Sequence, residues 1–289
     1  MELTFKQIDL CDKDKITQIF FSENRIWCEN TFGTIYCWSG ASGYKVAFVD
    51  GGMVLGNPDK KVFDMPMGNC DKKAVLETLI NTYGDISLKS VRPEDFEILN
   101  EVGGFEITEH SSFFDYIYES EKLITLSGKK LAAKRNHINA FIADGEWHTR
   151  AVEKNDIPAL IEFNKKWCEG RCENADKYLK MEMCAAEIAL NNFEDMGLLG
   201  LMLYKNGELV AYSYGEPISK EAFCVHVEKA DAEVRGAYQM INREFAKTYC
   251  KDYPYINRED DAGDEGLARA KKSYYPTELG KKFKARYVK

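Results

Sequence analysis

Residues 223–276 constrain the fold of this chain most tightly, because they hold two successive strand–helix units with a glycine at the first turn. Phe223-Cys-Val-His-Val alternates bulky residues at the short period of a strand. The next segment sets Tyr238, Ile241, Phe245 and Tyr249 on one helical stripe. Tyr255-Ile256 opens a second short strand. Asp264 is the natural N-cap of a helix whose Leu267, Ala270 and Tyr274 share a face, and Pro276 stops it. Between the first strand and its helix, Arg235-Gly236-Ala237-Tyr238 joins free helix N–H groups, a residue without a Cβ and a cation. That combination suits a phosphate or pyrophosphate, and it also describes a surface arginine beside an ordinary helix start.

The rest of the chain surrounds this stretch with mixed elements. Ile16, Ile19 and Phe20 share a helical face after Asp12. Phe32–Trp38 and Tyr44–Val49 flank a Gly/Ser-rich turn and are expected to form a hairpin, with a further turn at Gly51-Gly52. A helix over Lys72–Tyr83, a strand over Ile86–Val91, a helix over Pro93–Val102 and a strand over Phe113–Tyr118 follow. In the second half, Trp147–Val152 is a strand, and Asp156–Trp167 and Lys177–Asn191 are helices, the latter with Met181, Cys184, Ala185 and Ile188 on one side. Three antiparallel strands come next, with Asn206-Gly207 as the hairpin turn between the first two. Helices packing on largely antiparallel sheets make an α+β fold, and no dinucleotide-type glycine fingerprint accompanies them.

The other informative segment is Leu126–Phe141. As a helix it places Leu131, Ile138 and Ile142 on one stripe with Arg135 among them, and a buried guanidinium requires a carboxylate or a ligand phosphate. Either Arg135 pairs with a carboxylate of the other domain, or Lys134, Arg135, Asn136 and His137 form a polar wall of a substrate cleft.

The arrangement of residues 223–276 resembles the cofactor half of the GNAT N-acyltransferase fold. The runs His226-Val-Glu-Lys-Ala-Asp, Tyr255-Ile-Asn-Arg-Glu-Asp-Asp and Lys134-Arg-Asn-His-Ile-Asn look like the family named for the phosphatidylglycerol lysyltransferase C-terminal domain, itself related to the FemABX peptidyltransferases. The resemblance implies two tandem GNAT-like units, here 1–145 and 146–289. It implies transfer of an acyl or aminoacyl group to an amine or hydroxyl, with acyl-CoA as the simpler donor at Arg235, Gly236, Ala237 and Tyr238. Aminoacyl-tRNA is the alternative donor, and a fold that binds a small ligand or a protein without catalysis is the alternative outside the enzymes. Such a transfer needs a base and donors to the oxyanion. Glu228, at the end of the central strand, is the candidate base, or else an ion-pair partner of Lys229, Arg258 or Arg135. Asn257 and Tyr274 are candidate donors, and Arg258, Glu259 and Asp260 are expected along the same cleft.

Composition limits the partners. The formal charge of -8 over 289 residues disfavours non-specific nucleic-acid binding. No run approaches the length of a membrane span, no signal-peptide core follows Met1, and nine irregularly spaced cysteines suit reduced thiols in a cytoplasm, Cys168 and Cys172 being the single close pair. The acidic run Asp260, Asp261, Asp264 and Glu265 lacks the spacing of a calcium loop, so no metal is expected. No Ser-His-Asp or Cys-His set is evident in the sequence.

Overall fold

Helices on antiparallel sheets are what the computed structural model contains; it describes residues 2–169 and 177–288. The chain begins β1 (Lys6–Gln7), α1 (Lys13–Glu23), α2 (Phe32–Ser42), β2 (Lys45–Val49), β3 (Gly52–Asn57), β4 (Val62–Asp64) and β5 (Met67–Gly68). It continues α3 (Lys72–Tyr83), β6 (Ser87–Val91), α4 (Phe96–Val102), β7 (Phe105–Glu109), β8 (Asp115–Glu119), α5 (Ser120–Thr125) and α6 (Ala132–Ala143). Then come β9 (Trp147–Ala151), α7 (Ile157–Cys168), α8 (Lys177–Asn191), β10 (Leu199–Lys205), β11 (Glu208–Pro217) and β12 (Ala222–Ala230). The chain closes with α9 (Ala237–Tyr249), β13 (Tyr255–Asn257), α10 (Glu265–Lys272), β14 (Glu278–Gly280) and β15 (Phe283–Tyr287).

Among the described residues the strands form two sheets. One runs β1-β2-β3-β4-β6-β15-β7, with β5 paired to β3, and the other runs β14-β8-β13-β12-β11-β10-β9. Each is antiparallel except for one parallel pair, β4 with β6 and β12 with β13. Each half lends the other a strand. β8 lies between β13 and β14 in the second sheet, and β15 lies between β6 and β7 in the first. The division expected near Gly145 is therefore crossed in both directions.

Burial drives the assembly. Side chains of α1, α2 and α8 join Met53 and Leu55 of β3 with Met202, Tyr212 and Tyr214 of the second sheet in one shared core. The opposite face of the second sheet packs Leu201, Leu203, Phe223 and Val225 against Ile138 and Phe141 of α6 and Met240, Ile241 and Phe245 of α9. No helix among the described residues is long and apolar enough to cross a membrane.

Several expectations are corrected. Phe32–Ser42 is a helix and not the first arm of a hairpin: the Thr31 side chain caps it by accepting from the Thr34 N–H, and Gly43 ends it at φ 72°. The hairpin is instead β2 with β3. The buried stripe around α6 is Leu131, Ile138 and Phe141, while Ile142 is exposed. Among the described residues Arg135 meets no carboxylate; it donates to the Leu126 and Gly128 carbonyls at the end of α5. On α8, Ala185, Ala186, Ala189 and Leu190 are buried and Cys184 is exposed. Leu267 and Ala270 face solvent, whereas Lys271 and Tyr274 turn inward. Among the described residues seven cysteines are free thiols and Cys168 is disulfide-bonded, against the expectation of reduced thiols; Cys172 lies outside the described residues.

Candidate functional site

The site begins with an irregularity in the central hairpin. β11 and β12 are in register from Ala211↔Ala230 to Tyr214↔Val227, after which Gly215 pairs with Val225 and His226 is left over as a β-bulge. Gly215 is required here, because a Cβ would collide with the Cys224 carbonyl oxygen. The bulge breaks the alternation of faces. His226 and Val227 both line a narrow cleft between α2 and α8, about 40 Å³ in volume and partly open to solvent, with Gly33, Cys37, Tyr214 and Glu259 among its other walls. Glu228 turns to the opposite face, toward α9.

His226 is held at both ring nitrogens. Nε2 lies 3.0 Å from Glu216 Oε1 and Nδ1 lies 2.8 Å from Glu259 Oε1. The Gly33 N–H, in the first turn of α2, donates to the same Glu216 oxygen at 2.7 Å. Carboxylates accept only, so an imidazole between two of them is satisfied when both nitrogens carry protons. Burial disfavours that cation, but Cys224 at 3.5 Å and the two carboxylates outweigh it and hold the His226 pKa well above its ordinary value. Burial pushes the Cys224 thiol up to about 12, so this Cys-His pair, which the sequence reading did not find, is a thiol beside an imidazolium and not an activated nucleophile. The Cys37 thiol in the cleft wall is likewise raised to about 12 by burial.

Glu259 reaches His226 because its backbone is left-handed, at φ 57°. Its N–H donates to Asn257 Oδ1 at 2.7 Å, and Asn257 Nδ2 donates to Asp115 Oδ2 at 2.8 Å and to the Ile26 carbonyl. Asp115, on β8, accepts from Lys282 Nζ at 2.6 Å, and the same ammonium lies 2.6 Å from Glu29 Oε1. A buried ionic network tied to the exchanged strands thus sits beneath the Glu259 loop. Beside it, burial raises the Asp260 carboxyl to about 7, with Lys282 opposing.

The residues expected in one cleft divide between two faces. Glu228 accepts from Arg258 Nη2 at 2.9 Å and from Asn242 Nδ2 at 2.7 Å on the α9 face, so it is ion-paired there. Lys134 and Arg258 lie 4.1 and 4.9 Å from the Tyr274 ring centre on that same face. Glu259 belongs to the cleft with His226. Asn257 is fully buried with its amide group satisfied, and Asp260 lies beside Glu259 in sequence. Asn136 is exposed and His137 half-buried. Arg235 is exposed, whereas Gly236 and Ala237 are buried under α6, where the His137 carbonyl occupies the space beside Gly236. The Tyr238 hydroxyl accepts from Trp167 Nε1 at 2.8 Å. Sequence reasoning missed His226 and Glu216. The available signal was Gly215, since a glycine inside a strand marks a bulge or a close approach.

Comparison with known proteins agrees with this architecture. A structure of a conserved protein of unknown function from Bacteroides thetaiotaomicron superposes with TM-score 0.93 at 36% identity, covering 99% of this chain and 100% of that one. The structure of L-PGS from Bacillus licheniformis matches at TM-score 0.66 and 15% identity over 96% and 92% of the two chains. A GNAT-family acetyltransferase from Colwellia psychrerythraea matches at TM-score 0.51 and 11% identity over the whole of both, a likeness of fold. An uncharacterised protein of Mycoplasmoides gallisepticum is 25% identical over 62% of this chain, and the match spans 58% of that relative's length. Residues 23–286 match the family described as "Phosphatidylglycerol lysyltransferase, C-terminal". The chain is therefore a member of the phosphatidylglycerol lysyltransferase C-terminal family, built on a GNAT-like fold.

Proposed function

We propose that this chain moves an acyl or aminoacyl group from an activated ester or thioester to an amine or hydroxyl acceptor, in the cleft beside His226. The observation that carries this reading is the Glu216–His226–Glu259 chain, buried at one end and about a quarter exposed at Glu259. Glu259 takes the proton of the attacking nitrogen or oxygen as the new acyl bond forms. It returns that proton to the departing oxygen or sulfur as the donor bond breaks. His226, braced by Glu216, holds the Glu259 carboxylate and offsets its charge. In this reading Glu228, Asn257 and Tyr274 support the fold around the site and do not touch the reacting atoms.

Between the donors, the closed start of α9 favours an aminoacyl ester of tRNA over acyl-CoA. Gly236 and Ala237 are buried against α6, and the Ala237 N–H already donates to the Val234 carbonyl at 3.1 Å, which narrows the approach that a pyrophosphate needs. Membership in a lysyltransferase family supports the same choice, with Lys130 and Lys134 beside Tyr275 and Tyr274 as a local basic patch on a cytoplasmic, otherwise acidic protein. The acceptor is a small molecule. The test is deacylation of labelled aminoacyl-tRNAs, in parallel with acyl-CoAs, across a panel of amines and alcohols. Glu259→Gln should slow turnover by about 10²-fold or more while ligand-induced thermal stabilisation persists. Full turnover by Glu259→Gln refutes the site. A thermal shift with acyl-CoA that is lost in Arg235→Ala reinstates CoA as donor. No turnover with either donor leaves the non-catalytic binder.

A further inference from the structure

Helix α10 is short and almost wholly solvent-facing, with Glu265, Leu267 and Arg269 exposed; of its eight residues Lys271 is the one that is buried. Among the described residues its ammonium forms no ion pair. Nζ donates to the Arg258 carbonyl at 2.6 Å and also to the Asp260 carbonyl, the two backbone oxygens on either side of Glu259. The helix is anchored at the same point, since the Tyr118 hydroxyl donates to the Lys271 carbonyl at 2.7 Å. Between the two gripped carbonyls, Glu259 adopts its left-handed conformation, which a residue with a long side chain does not hold without support. Burial lowers the Lys271 pKa against the pull of Glu259, so the cation sits there at a cost, as expected of a group kept for its contacts.

We infer that Lys271 is a positioning residue: by clamping the carbonyls of Arg258 and Asp260 it keeps Glu259 in the backbone conformation that presents its carboxylate to His226 Nδ1. As a statement about catalysis this rests on the transfer reading above. As a statement about Glu259 it does not, and the experiment reads Glu259 directly. The chain has four histidines, so a ¹⁵N-histidine-labelled sample gives a resolvable set of imidazole signals, with His226 assigned from His226→Gln. The groups facing that ring are Glu216, Glu259, Cys224 and, at longer range, Cys37.

In Glu259→Gln the His226 titration midpoint should fall, because one of its two carboxylates is gone. In Lys271→Met it should fall by a similar amount although no group touching the ring has changed, and the double variant should fall no further than Glu259→Gln alone. Lys271→Gln keeps a donor within reach of a carbonyl, and its midpoint should lie between those of Lys271→Met and the parent; it also stands in if Lys271→Met fails to fold. A folded Lys271→Met or Lys271→Gln with lowered thermal stability but the parent His226 midpoint overturns the proposal, since a merely structural lysine gives that result. A Glu259→Gln midpoint equal to the parent's overturns it as well. If the chain transfers no acyl group to any acceptor, the transfer reading fails and the midpoint shift remains.

Discussion

Replacing Lys282 by Met tests the ionic network beneath the site. The Lys282 side chain is 2% exposed, and its ammonium is 2.6 Å from both Asp115 and Glu29. Methionine fills similar volume without charge, so the change leaves two carboxylates facing each other without the cation between them. Asp115 keeps the Cys28 and Asn257 N–H donors, and Glu29 keeps Arg92 Nη2 at 2.9 Å, which moderates the loss. Removing one partner of a buried ionic group costs about 3–5 kcal/mol. At about 2–4 °C per kcal/mol for a chain of this size, the Tm should fall by roughly 10 °C at pH 7. The pH dependence gives a second reading. Glu29 is brought down to about 2 from 4.5, its burial outweighed by Lys282 and Arg92, so in the parent its contribution is complete above about pH 4.5 and is lost as pH falls toward 2. Without Lys282 the Glu29 carboxyl protonates at higher pH in the folded state, so the gap between parent and variant should narrow as pH drops from 7 to 4. Calorimetry across that range measures both effects. A Tm within 3 °C of the parent, or a gap that widens with acid, would refute the reasoning.

Two other substitutions probe the site from the backbone and from its neighbouring carboxyl. Gly215→Ala drives a Cβ against the Cys224 carbonyl, so it should cost about 2–4 kcal/mol by denaturant titration and shift the His226 NMR signals; unchanged imidazole signals would show that the bulge does not depend on the glycine. Burial raises the folded Asp260 pKa to about 7 from 3.8, so its ionised form opposes folding at high pH and the opposition is relieved as pH falls through 7. Asp260→Asn should therefore raise Tm at pH 8 more than at pH 5, and a uniform change at both pH values would contradict the assignment.

What the sequence reveals here depends on how local the determinant is. The Asn206-Gly207 turn, the Asp264 cap and the span of α8 follow from neighbouring residues and hold in the structure. Helix α2 defeats periodicity because it is sandwiched in the shared core, so Phe32-Gly-Thr-Ile-Tyr-Cys-Trp is apolar on more than one side and imitates a strand; the Thr31 and Gly43 caps were the better guide. The bulge defeats alternation in a different way. Counting by twos puts Cys224, His226 and Glu228 on one face, and one extra residue sends Glu228 to α9 and leaves His226 in the cleft. Glu216 was missed because β11 runs on past Tyr214 through Gly-Glu-Pro. Pairings such as β15 with β6 leave no trace in either partner's local sequence.

The exchanged strands also shape how the chain is made. After β7 is synthesised, roughly 170 residues must still be added before β15 can slot between β6 and β7, an interval of roughly 10–35 s at ordinary rates of elongation. During that time the first sheet has an open seam, with two strand edges offering unpaired N–H and carbonyl groups. β8 meanwhile waits for β13. Neither sheet is finished on its own schedule, so a ribosome that stalls late in translation releases two half-zipped sheets where a simple tandem repeat would release one complete domain and one unfinished tail.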